Sequence, residues 1–468
     1  MPVKTRRPTG PDQTLVEQCV RWAQQRIEQR TLLPGTRMPS IRAFARERRV
    51  SKFTAVEAYS RLVSMGCLEA KRGSGFYVLA PRPRRAAVLT TAAAASDIDV
   101  LWLLKHMLQD SGIQQGPGMG SLPPSWLDGS LLATSVRSLA RRAPSHWVGA
   151  GSTQGYLPLR QQLQLQLTRY EIAADPEQIV LTTGITHALT LLLGILVKPG
   201  EAVLVGNPSW FAGFGTVTSY LAHGAPIGYD YTPEGPDLDS IERKAAHYRP
   251  KLLIINSIGH NPTGTALTRA TAERLLALAE KYGFTILEDD AYGDLCPPDA
   301  GTRLASLDRK GRVVYAGSYT KSIAQNLRVG FVACSRELAE ELTNRKMLTG
   351  FTTPESNERI LHGVLVSGHY RKHLDRLRVK LAAARATATR DLARLGLKEF
   401  CLRPVGLHTW VDTGRDSVEI AALGARHSLI LASGALFSPL QAPSTHMRIN
   451  VSRWGPECLQ FFRKVLET

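Results

Sequence analysis

Between residues 179 and 333, six short apolar runs alternate with longer segments of helical spacing. The runs are Ile179–Thr182, Ala202–Val205, Leu252–Asn256, Thr285–Glu288, Val313–Ala316 and Val329–Ala333. Continuous apolar runs of this length are typical of strands buried on both faces, and their alternation with helices is typical of a parallel sheet. We therefore predict an α/β fold with a mostly parallel sheet. In such folds, functional groups lie at the carboxyl ends of the strands.

The fifth run leads into a segment that combines two hydroxyl residues, a lysine and an arginine: Ser318, Thr320, Lys321 and Arg328. A lysine enclosed at the end of a sheet loses its proton more readily than one in water, and its amine can then attack an aldehyde. The hydroxyls and the guanidinium suit a phosphate carried by that aldehyde. An ordinary loop lysine fits the same short pattern, so the other strand ends decide between the two interpretations.

Two of these strand ends offer groups for an anion and for a flat ring. The first strand is followed by a turn that opens a helix at Gly184, Ile185 and Thr186, where backbone N–H groups and the helix dipole attract an anion. The second strand is followed by Trp210, whose indole offers a surface for stacking, although it also suits a core position. These residues predict a seat for a phosphate and an aromatic ring.

Two further strand ends offer polar partners. Asn261 and Tyr292 suit a phenolate oxygen, and Asp289 suits a protonated ring nitrogen. Each also has a simpler explanation, such as a turn residue or a helix cap. Taken together with Lys321, and in this order, they specify a phosphorylated pyridine aldehyde, so we predict pyridoxal 5′-phosphate (PLP) as the cofactor.

The start of the chain has a different character. Residues 1–85 hold 18 lysine and arginine residues against 6 acidic ones, in a chain whose net charge is +18. Apolar periodicity over residues 12–79 predicts three helices, the second and third capped by Ser40 and Ser51, followed by a hairpin with a basic tip at residues 71–75. This order predicts a winged helix-turn-helix whose charge suits a polyanion such as DNA, with a protein-binding winged helix as the alternative.

The third helix and the hairpin are the elements expected to meet DNA, because helix starts and basic wings lie against grooves and phosphates. The residues predicted to contact DNA are Arg37, Ser40, Arg42, Ser51, Lys52, Thr54, Arg72 and Gly73. The runs L-P-G-T-R-M-P-S-I-R-A-F-A, S-K-F-T and G-S-G-F-Y-V resemble the GntR type of bacterial DNA-binding domain. The resemblance covers about residues 12–79.

The remaining motifs resemble the fold-type I aminotransferases over about residues 98–468. They are G-I-T-H-A-L, N-P-S-W, H-N-P-T-G, E-D-D-A-Y, S-Y-T-K and N-L-R-V-G, in that order. A later segment, H-M-R-I-N-V-S, resembles the strand whose arginine holds the substrate α-carboxylate, which implies that role for Arg448. The resemblance also implies a homodimer. The chain departs from the family at His187, where glutamine is common, and at Ala150, where an aromatic hydroxyl normally reaches the neighbouring subunit's phosphate.

The predicted organisation is a winged domain (residues 12–79), a linker (80–97) and an aminotransferase-like domain (98–468). Within the last, the large part covers about 150–350 and the small part about 98–149 and 351–468. The whole chain resembles the MocR subfamily of regulators. The resemblance implies a DNA-binding transcriptional regulator whose affinity or geometry responds to an amino compound, or to PLP bound as an aldimine. The alternative is an active aminotransferase localised by its DNA-binding head; in the regulator, transamination is expected to be vestigial or slow.

Three further predictions concern what surrounds the protein. Six scattered cysteines without a C-x-x-C pair predict free thiols in the cytoplasm and no zinc site. No apolar run is long enough to cross a bilayer, so no membrane partner is expected. His369 and His373 are four residues apart, as metal ligands on a helix are, but their basic neighbours predict a solvated face without a metal.

Overall fold

A computed structural model describes residues 14–28, 31–71, 74–79, 116–141, 145–221 and 226–467. The chain divides into two compact units, residues 1–90 and 91–468. The predicted linker at 80–97 and the wing-tip residues Arg72 and Gly73 lie outside the described residues. No helix within the described ranges is long and apolar enough to cross a membrane.

The first unit is the predicted winged helix-turn-helix. Its elements are α1 (Leu15–Glu28), α2 (Ile41–Arg48), α3 (Lys52–Ser64), β1 (Leu68–Lys71) and β2 (Gly75–Val78). The side chains of Ser40 and Ser51 cap α2 and α3 as predicted, each accepting a backbone N–H three residues later, at 3.2 and 3.0 Å. The two strands form an antiparallel hairpin.

A chain of three aromatic rings holds this unit together. Phe44 of α2, Tyr59 of α3 and Phe76 of β2 pack edge to face, with successive ring centroids 5.0 Å apart. The hydroxyl of the buried Tyr59 donates to the carbonyl of Pro39 at 2.8 Å, so its polar end is satisfied. The two helices of the helix-turn-helix and the wing are therefore fixed to one core.

The second unit is built from helices around two sheets. Its helices are α4 (Gly129–Ala140), α5 (Ser145–Val148), α6 (Leu157–Arg169), α7 (Ile185–Leu196), α8 (Phe211–Leu221), α9 (Leu238–Tyr248), α10 (Arg269–Tyr282), α11 (Leu304–Leu307), α12 (Arg336–Gly350), α13 (Glu355–Val366), α14 (His369–Arg394), α15 (Ser417–Arg426) and α16 (Pro456–Glu467). The large sheet contains β3 (Ile179–Thr182), β4 (Val203–Asn207), β5 (Ile227–Thr232), β6 (Gly235–Pro236), β7 (Leu252–Ile255), β8 (Thr285–Asp290), β9 (Val313–Ser318) and β10 (Gly330–Ala333).

The large sheet has the order β3-β10-β9-β8-β7-β4-β5-β6. The pairs from β9 to β5 are parallel, which confirms a mostly parallel α/β sheet. Strand β10 is antiparallel to both of its neighbours, with Gly330 opposite Thr182 and Ser318. The residues that precede β10 therefore lie at the same edge as the residues that follow the other strands.

Both faces of this sheet are buried, as continuous apolar strands require. Along β4, Val203 and Val205 pack with α7 and α8, whereas Leu204 points into the opposite core with α9 and α10. A second, antiparallel sheet has the order β11-β12-β14-β13. Its strands are β11 (Lys398–Glu399), β12 (His408–Asp412), β13 (Ala432–Ser433) and β14 (His446–Asn450).

Two sequence interpretations of the helical region were wrong. The sequence of residues 344–368 predicts one long polar helix, but α12 ends at Gly350 and α13 begins at Glu355, because Phe351 has a φ of 57° and Pro354 has no N–H to continue the ladder. His373 does not face solvent: it is 2% exposed, and its Nε2 lies 2.9 Å from the carbonyl oxygen of Ser322. No cluster of metal-ligating residues occurs among the described residues.

Candidate functional site

One cavity lies at the carboxyl edge of the large sheet. The residues that line it are Gly184, Ile185, Thr186, Trp210, Asn256, Asp289, Ala291, Tyr292, Ser318, Thr320, Lys321 and Arg328. The structure therefore brings together ten of the eleven residues predicted to hold the cofactor. The eleventh, Asn261, lies directly behind, where its Nδ2 donates to the Tyr292 hydroxyl at 3.4 Å.

The amine of Lys321 donates a hydrogen bond to the carbonyl oxygen of Gly120 at 2.8 Å. The residue is half-buried, and the loss of water around the amine lowers its pKa to about 8, with the nearby Arg448 guanidinium acting in the same direction. The Asp289 carboxylate opposes this shift. A much larger share of the amine is therefore neutral near pH 7 than for a lysine in water.

The carboxyl group of Asp289 is buried at the end of β8. Burial raises its pKa to about 6, although its Oδ1 accepts the backbone N–H of Ala291 at 3.1 Å. Asn256 holds the same turn from the next strand, because its Nδ2 donates to the Asp289 backbone carbonyl at 2.8 Å. A cationic partner at this carboxyl would favour the charged form that burial opposes.

The anion seat is formed where β3 meets α7. Gly184 has a φ of 101°, and a Cβ there would stand 3.0 Å from Nη2 of Arg328, so a side chain is excluded from this turn. The Arg328 guanidinium donates to the Thr183 carbonyl at 2.7 Å, and the hydroxyls of Ser318 and Thr320 lie 3.0 Å apart. Helix dipole, guanidinium and hydroxyls thus converge on the same end of the cavity.

The two departures from the family pattern have different outcomes. His187 accepts the backbone N–H of Thr183 through Nδ1 at 3.1 Å, so it stabilises the turn that forms the anion seat. Ala150 is exposed and does not line the cavity. Trp210 is half-buried and lines the cavity wall.

Arg448 lies on β14 and is 1% exposed. Its Nη1 donates to Oδ1 of Asn261 at 3.3 Å, its Nη2 donates to the carbonyl of Gly118, and its Nε has no hydrogen-bond partner among the described residues. Burial lowers its pKa to about 10. A buried guanidinium with one unpartnered N–H and one long hydrogen bond is suited to bind a carboxylate.

Sequence reasoning missed two parts of this site. Asn256 was identified only as the end of a strand, although a polar residue at that position was a usable signal. The loop of residues 116–121 was not among the predicted site residues, yet its carbonyls accept hydrogen bonds from Lys321 and Arg448. Gly116 and Gly118 are required by packing, since a Cβ at either would stand 2.5 Å from the backbone of Ile430 or Leu431.

The predicted DNA-contacting residues of the first unit divide into two groups. Arg37, Arg42 and Lys52 are exposed. The hydroxyls of Ser51 and Thr54 lie 2.8 Å apart and are engaged in capping α3. These placements are compatible with a helix that presents its start to a groove, with the arginines beside it.

Family models match both units. The model described as aminotransferase class I and II matches residues 127–454, and the model of bacterial regulatory proteins of the gntR family matches residues 17–78. The chain is 27% identical to YdcR of Escherichia coli (strain K12), an uncharacterized HTH-type transcriptional regulator, over 90% of this chain and 92% of the relative. It is 24% identical to the HTH-type transcriptional regulator NorG of Staphylococcus aureus (strain USA300), over 74% and 78% of the two chains.

Solved structures resemble the second unit. The kynurenine aminotransferase of Pyrococcus horikoshii, in complex with PMP, has a TM-score of 0.71 and 23% identity, covering 79% of this chain and 93% of that one. The α-aminoadipate aminotransferase LysN of Thermus thermophilus, complexed with N-(5′-phosphopyridoxyl)-L-leucine, has a TM-score of 0.70 and 22% identity, covering 78% and 94%. At this identity the likeness establishes the fold. With a family model matching more than half of its length, the chain belongs to the aminotransferase class I and II family, and its gntR-type domain gives it the architecture of MocR-type regulators.

Proposed function

We propose that this protein is a PLP-dependent transcriptional regulator that binds double-stranded DNA through its winged domain and an amino compound through its aminotransferase-like domain. The observation that carries the proposal is that one chain holds a gntR-type domain and a cavity lined by lysine, aspartate and an anion seat on an aminotransferase fold. Relatives that match over most of their length, such as YdcR, are named transcriptional regulators. Those names favour a transcriptional regulator and not a metabolic aminotransferase.

The donor set of the cavity fits PLP. Gly184 leaves open the turn beside Arg328, where a Cβ would intrude, and this end suits a phosphate. Asp289, which lines the same cavity, suits a pyridinium nitrogen because a cation there would offset the cost of burying its carboxylate. Lys321 supplies the amine for the aldehyde. Trp210, Asn261 and Tyr292, together with Ile185, Thr186, Ser318 and Thr320, complete the set.

When bound, PLP supplies an aldehyde that primary amines attack and a ring that accepts electrons. In this site Lys321 contributes an amine whose pKa of about 8 leaves it partly neutral near pH 7. Asp289 keeps a proton on the ring nitrogen, and Asn261 and Tyr292 form a hydrogen-bonded pair at the phenolate side. Arg448 holds the carboxylate of an amino compound at a buried guanidinium.

The regulator acts by linkage. An amino compound changes DNA affinity only to the extent that it binds one arrangement of the protein better than another. We propose a homodimer, since the resembled fold-type I aminotransferases build their sites at a subunit interface. Two winged domains then bind two half-sites of one operator.

An active aminotransferase is the second candidate, because Lys321, Asp289 and Arg448 are all placed around one site. The two functions differ in turnover. An enzyme would show rapid multiple turnover with an amino acid and a keto acid. The regulator changes its DNA affinity with the amino compound while turnover stays slow or absent.

The test uses the purified full-length protein. We expect a visible absorbance band, and reduction with borohydride should attach the cofactor covalently to residue 321, identified by peptide mass. Binding to duplex DNA is then measured with and without a panel of amino acids. A colourless protein that gains no band from added PLP contradicts the cofactor assignment, and fast multiple turnover without any change in DNA affinity contradicts the regulator.

A further inference from the structure

Phe53 stands out on the surface of the winged domain. It is the second residue of α3 and is 81% exposed, which leaves a large apolar ring in water. The face of α3 that packs into the core is made by other residues, among them Ala55, Tyr59 and Leu62, each of which is completely buried. Phe53 therefore contributes nothing to the core of this domain, and its role lies outside it.

The position of Phe53 is fixed by the cap of its helix. The Ser51 hydroxyl accepts the Thr54 N–H at 3.0 Å and lies 2.8 Å from the Thr54 hydroxyl. These two hydroxyls are engaged with each other, and the two residues between them, Lys52 and Phe53, are both exposed at the start of α3. Val56, one turn further along, is 39% exposed and extends the same apolar face.

The charge around this apolar face identifies the kind of partner. Arg37, Arg42 and Lys52 are exposed, and residues 1–85 carry 18 basic against 6 acidic residues. The centre of a protein–protein interface is typically apolar and contains few charged residues, unlike the surroundings of Phe53. A ring set among cations suits the major groove of DNA, where phosphates flank the base edges.

We propose that Phe53 reads thymine by contacting its 5-methyl group in the major groove, with Val56 beside it. This inference rests on the proposed DNA-binding function and adds the base that the recognition helix selects. Thymine is the base whose major-groove edge carries a methyl group, and phenylalanine is among the residues that contact it. Lys52, next to it, contacts phosphate, so one residue positions the helix and its neighbour specifies the sequence.

The test begins with the full-length wild-type protein, which selects its preferred site from random-sequence duplexes. Each thymine of that site is then replaced singly by deoxyuridine, which removes only the methyl group. We expect one thymine in each half-site to be sensitive, with the replacement weakening binding by about fourfold. This factor corresponds to about 0.8 kcal/mol, the free energy gained by burying one methyl group. The other thymines should tolerate the change.

Phe53→Ala provides the protein half of a double-mutant cycle. The variant should bind the thymine site at least fourfold more weakly and should not distinguish thymine from deoxyuridine at the sensitive position. Lys52→Ala is the matched control: it should weaken both duplexes equally and keep the fourfold difference. Because Phe53 is exposed, thermal unfolding of Phe53→Ala should match that of the wild type, which separates recognition from folding.

The outcomes separate the two levels of the proposal. If the wild-type protein binds no duplex, the DNA-binding function itself is contradicted. If it binds its selected site but no thymine is sensitive to loss of the methyl, or Phe53→Ala still distinguishes the two bases, the inference about Phe53 is overturned and DNA binding stands. Unchanged DNA selection by Phe53→Ala together with loss of self-association would assign the ring to a protein partner.

Discussion

The two units use charged side chains in opposite environments. In the winged domain the basic residues Arg37, Arg42 and Lys52 lie in water. In the second unit Lys321 and Asp289 lie where water is largely excluded, and their pKa values move to about 8 and about 6. An exposed cation attracts a phosphate by releasing counterions, whereas an enclosed one changes its own chemistry. Salt should therefore govern the first unit, and pH the second.

The largest effect is expected from removing one side chain in the cavity. Lys321→Ala should abolish the visible absorbance band that borohydride removes from the wild type, because no other primary amine lines the cavity among the described residues. DNA affinity without added amino compounds should change little. Absorbance spectra and DNA titrations of the same preparation check both statements. An unchanged band would mean that Lys321 does not hold the cofactor.

The pH dependence of cofactor uptake sharpens the same contrast. Only the neutral amine attacks an aldehyde, so the rate constant for PLP binding to apoprotein should rise about tenfold per pH unit below 8 and level off above it. At pH 7 this gives roughly 300-fold more reactive amine than a lysine of pKa 10.5. Stopped-flow absorbance measures the profile. A rate that continues to climb towards pH 10 would mean that Lys321 behaves as a surface lysine.

Replacing the buried guanidinium should have an intermediate effect. Arg448→Lys keeps the charge but loses the planar fork, so the affinity for amino acids with an α-carboxylate should fall by about 10- to 100-fold. Titration of the holoprotein with L-alanine, followed by absorbance, measures the loss. Arg371→Lys, an exposed arginine, is the control and should leave the affinity unchanged. Equal affinities for methylamine in all three proteins would assign the loss to the carboxylate.

The smallest effect is expected among the exposed basic residues of the winged domain. Lys52→Ala should weaken DNA binding a few-fold and reduce the slope of log affinity against log salt by about 1, because one phosphate contact is removed. Arg274→Ala, an exposed arginine of the second unit, should leave the slope unchanged. A slope that does not respond to Lys52→Ala would mean that this cation does not meet phosphate.

Sequence patterns predicted most of the framework because the physics involved is local. Capping by Ser40 and Ser51 depends on neighbouring residues, and all six predicted strands of the sheet agree with the observed bounds to within two residues at each end. The cavity followed from topology, since parallel strands bring their carboxyl ends to one edge. Hence Lys321 and Asp289 were assigned to one site before the distance between their side chains was known.

The failures were non-local. His373 is polar in a basic stretch, and only its contact with the Ser322 carbonyl, 51 residues away, explains its burial. Strand β5 was not predicted, because its polar residues Asp230 and Thr232 interrupt the apolar pattern near the edge of the sheet. Gly118 and Gly120 accept from Arg448 and Lys321 through their backbone carbonyls, and such acceptors leave no mark in an amino-acid sequence.

The loop of residues 116–121 is in competition with any ligand of the site. The carbonyls of Gly120 and Gly118 accept hydrogen bonds from Lys321 and Arg448, and those of Met119 and Ser121 accept from Asn450 at 2.8 and 2.9 Å. An aldehyde bound at the amine, or a carboxylate bound at the guanidinium, would compete with the carbonyls of Gly120 and Gly118, whereas Asn450 would still hold Met119 and Ser121. Occupancy of the cavity therefore loosens the hold on residues 118 and 120, while residues 119 and 121 stay attached to β14.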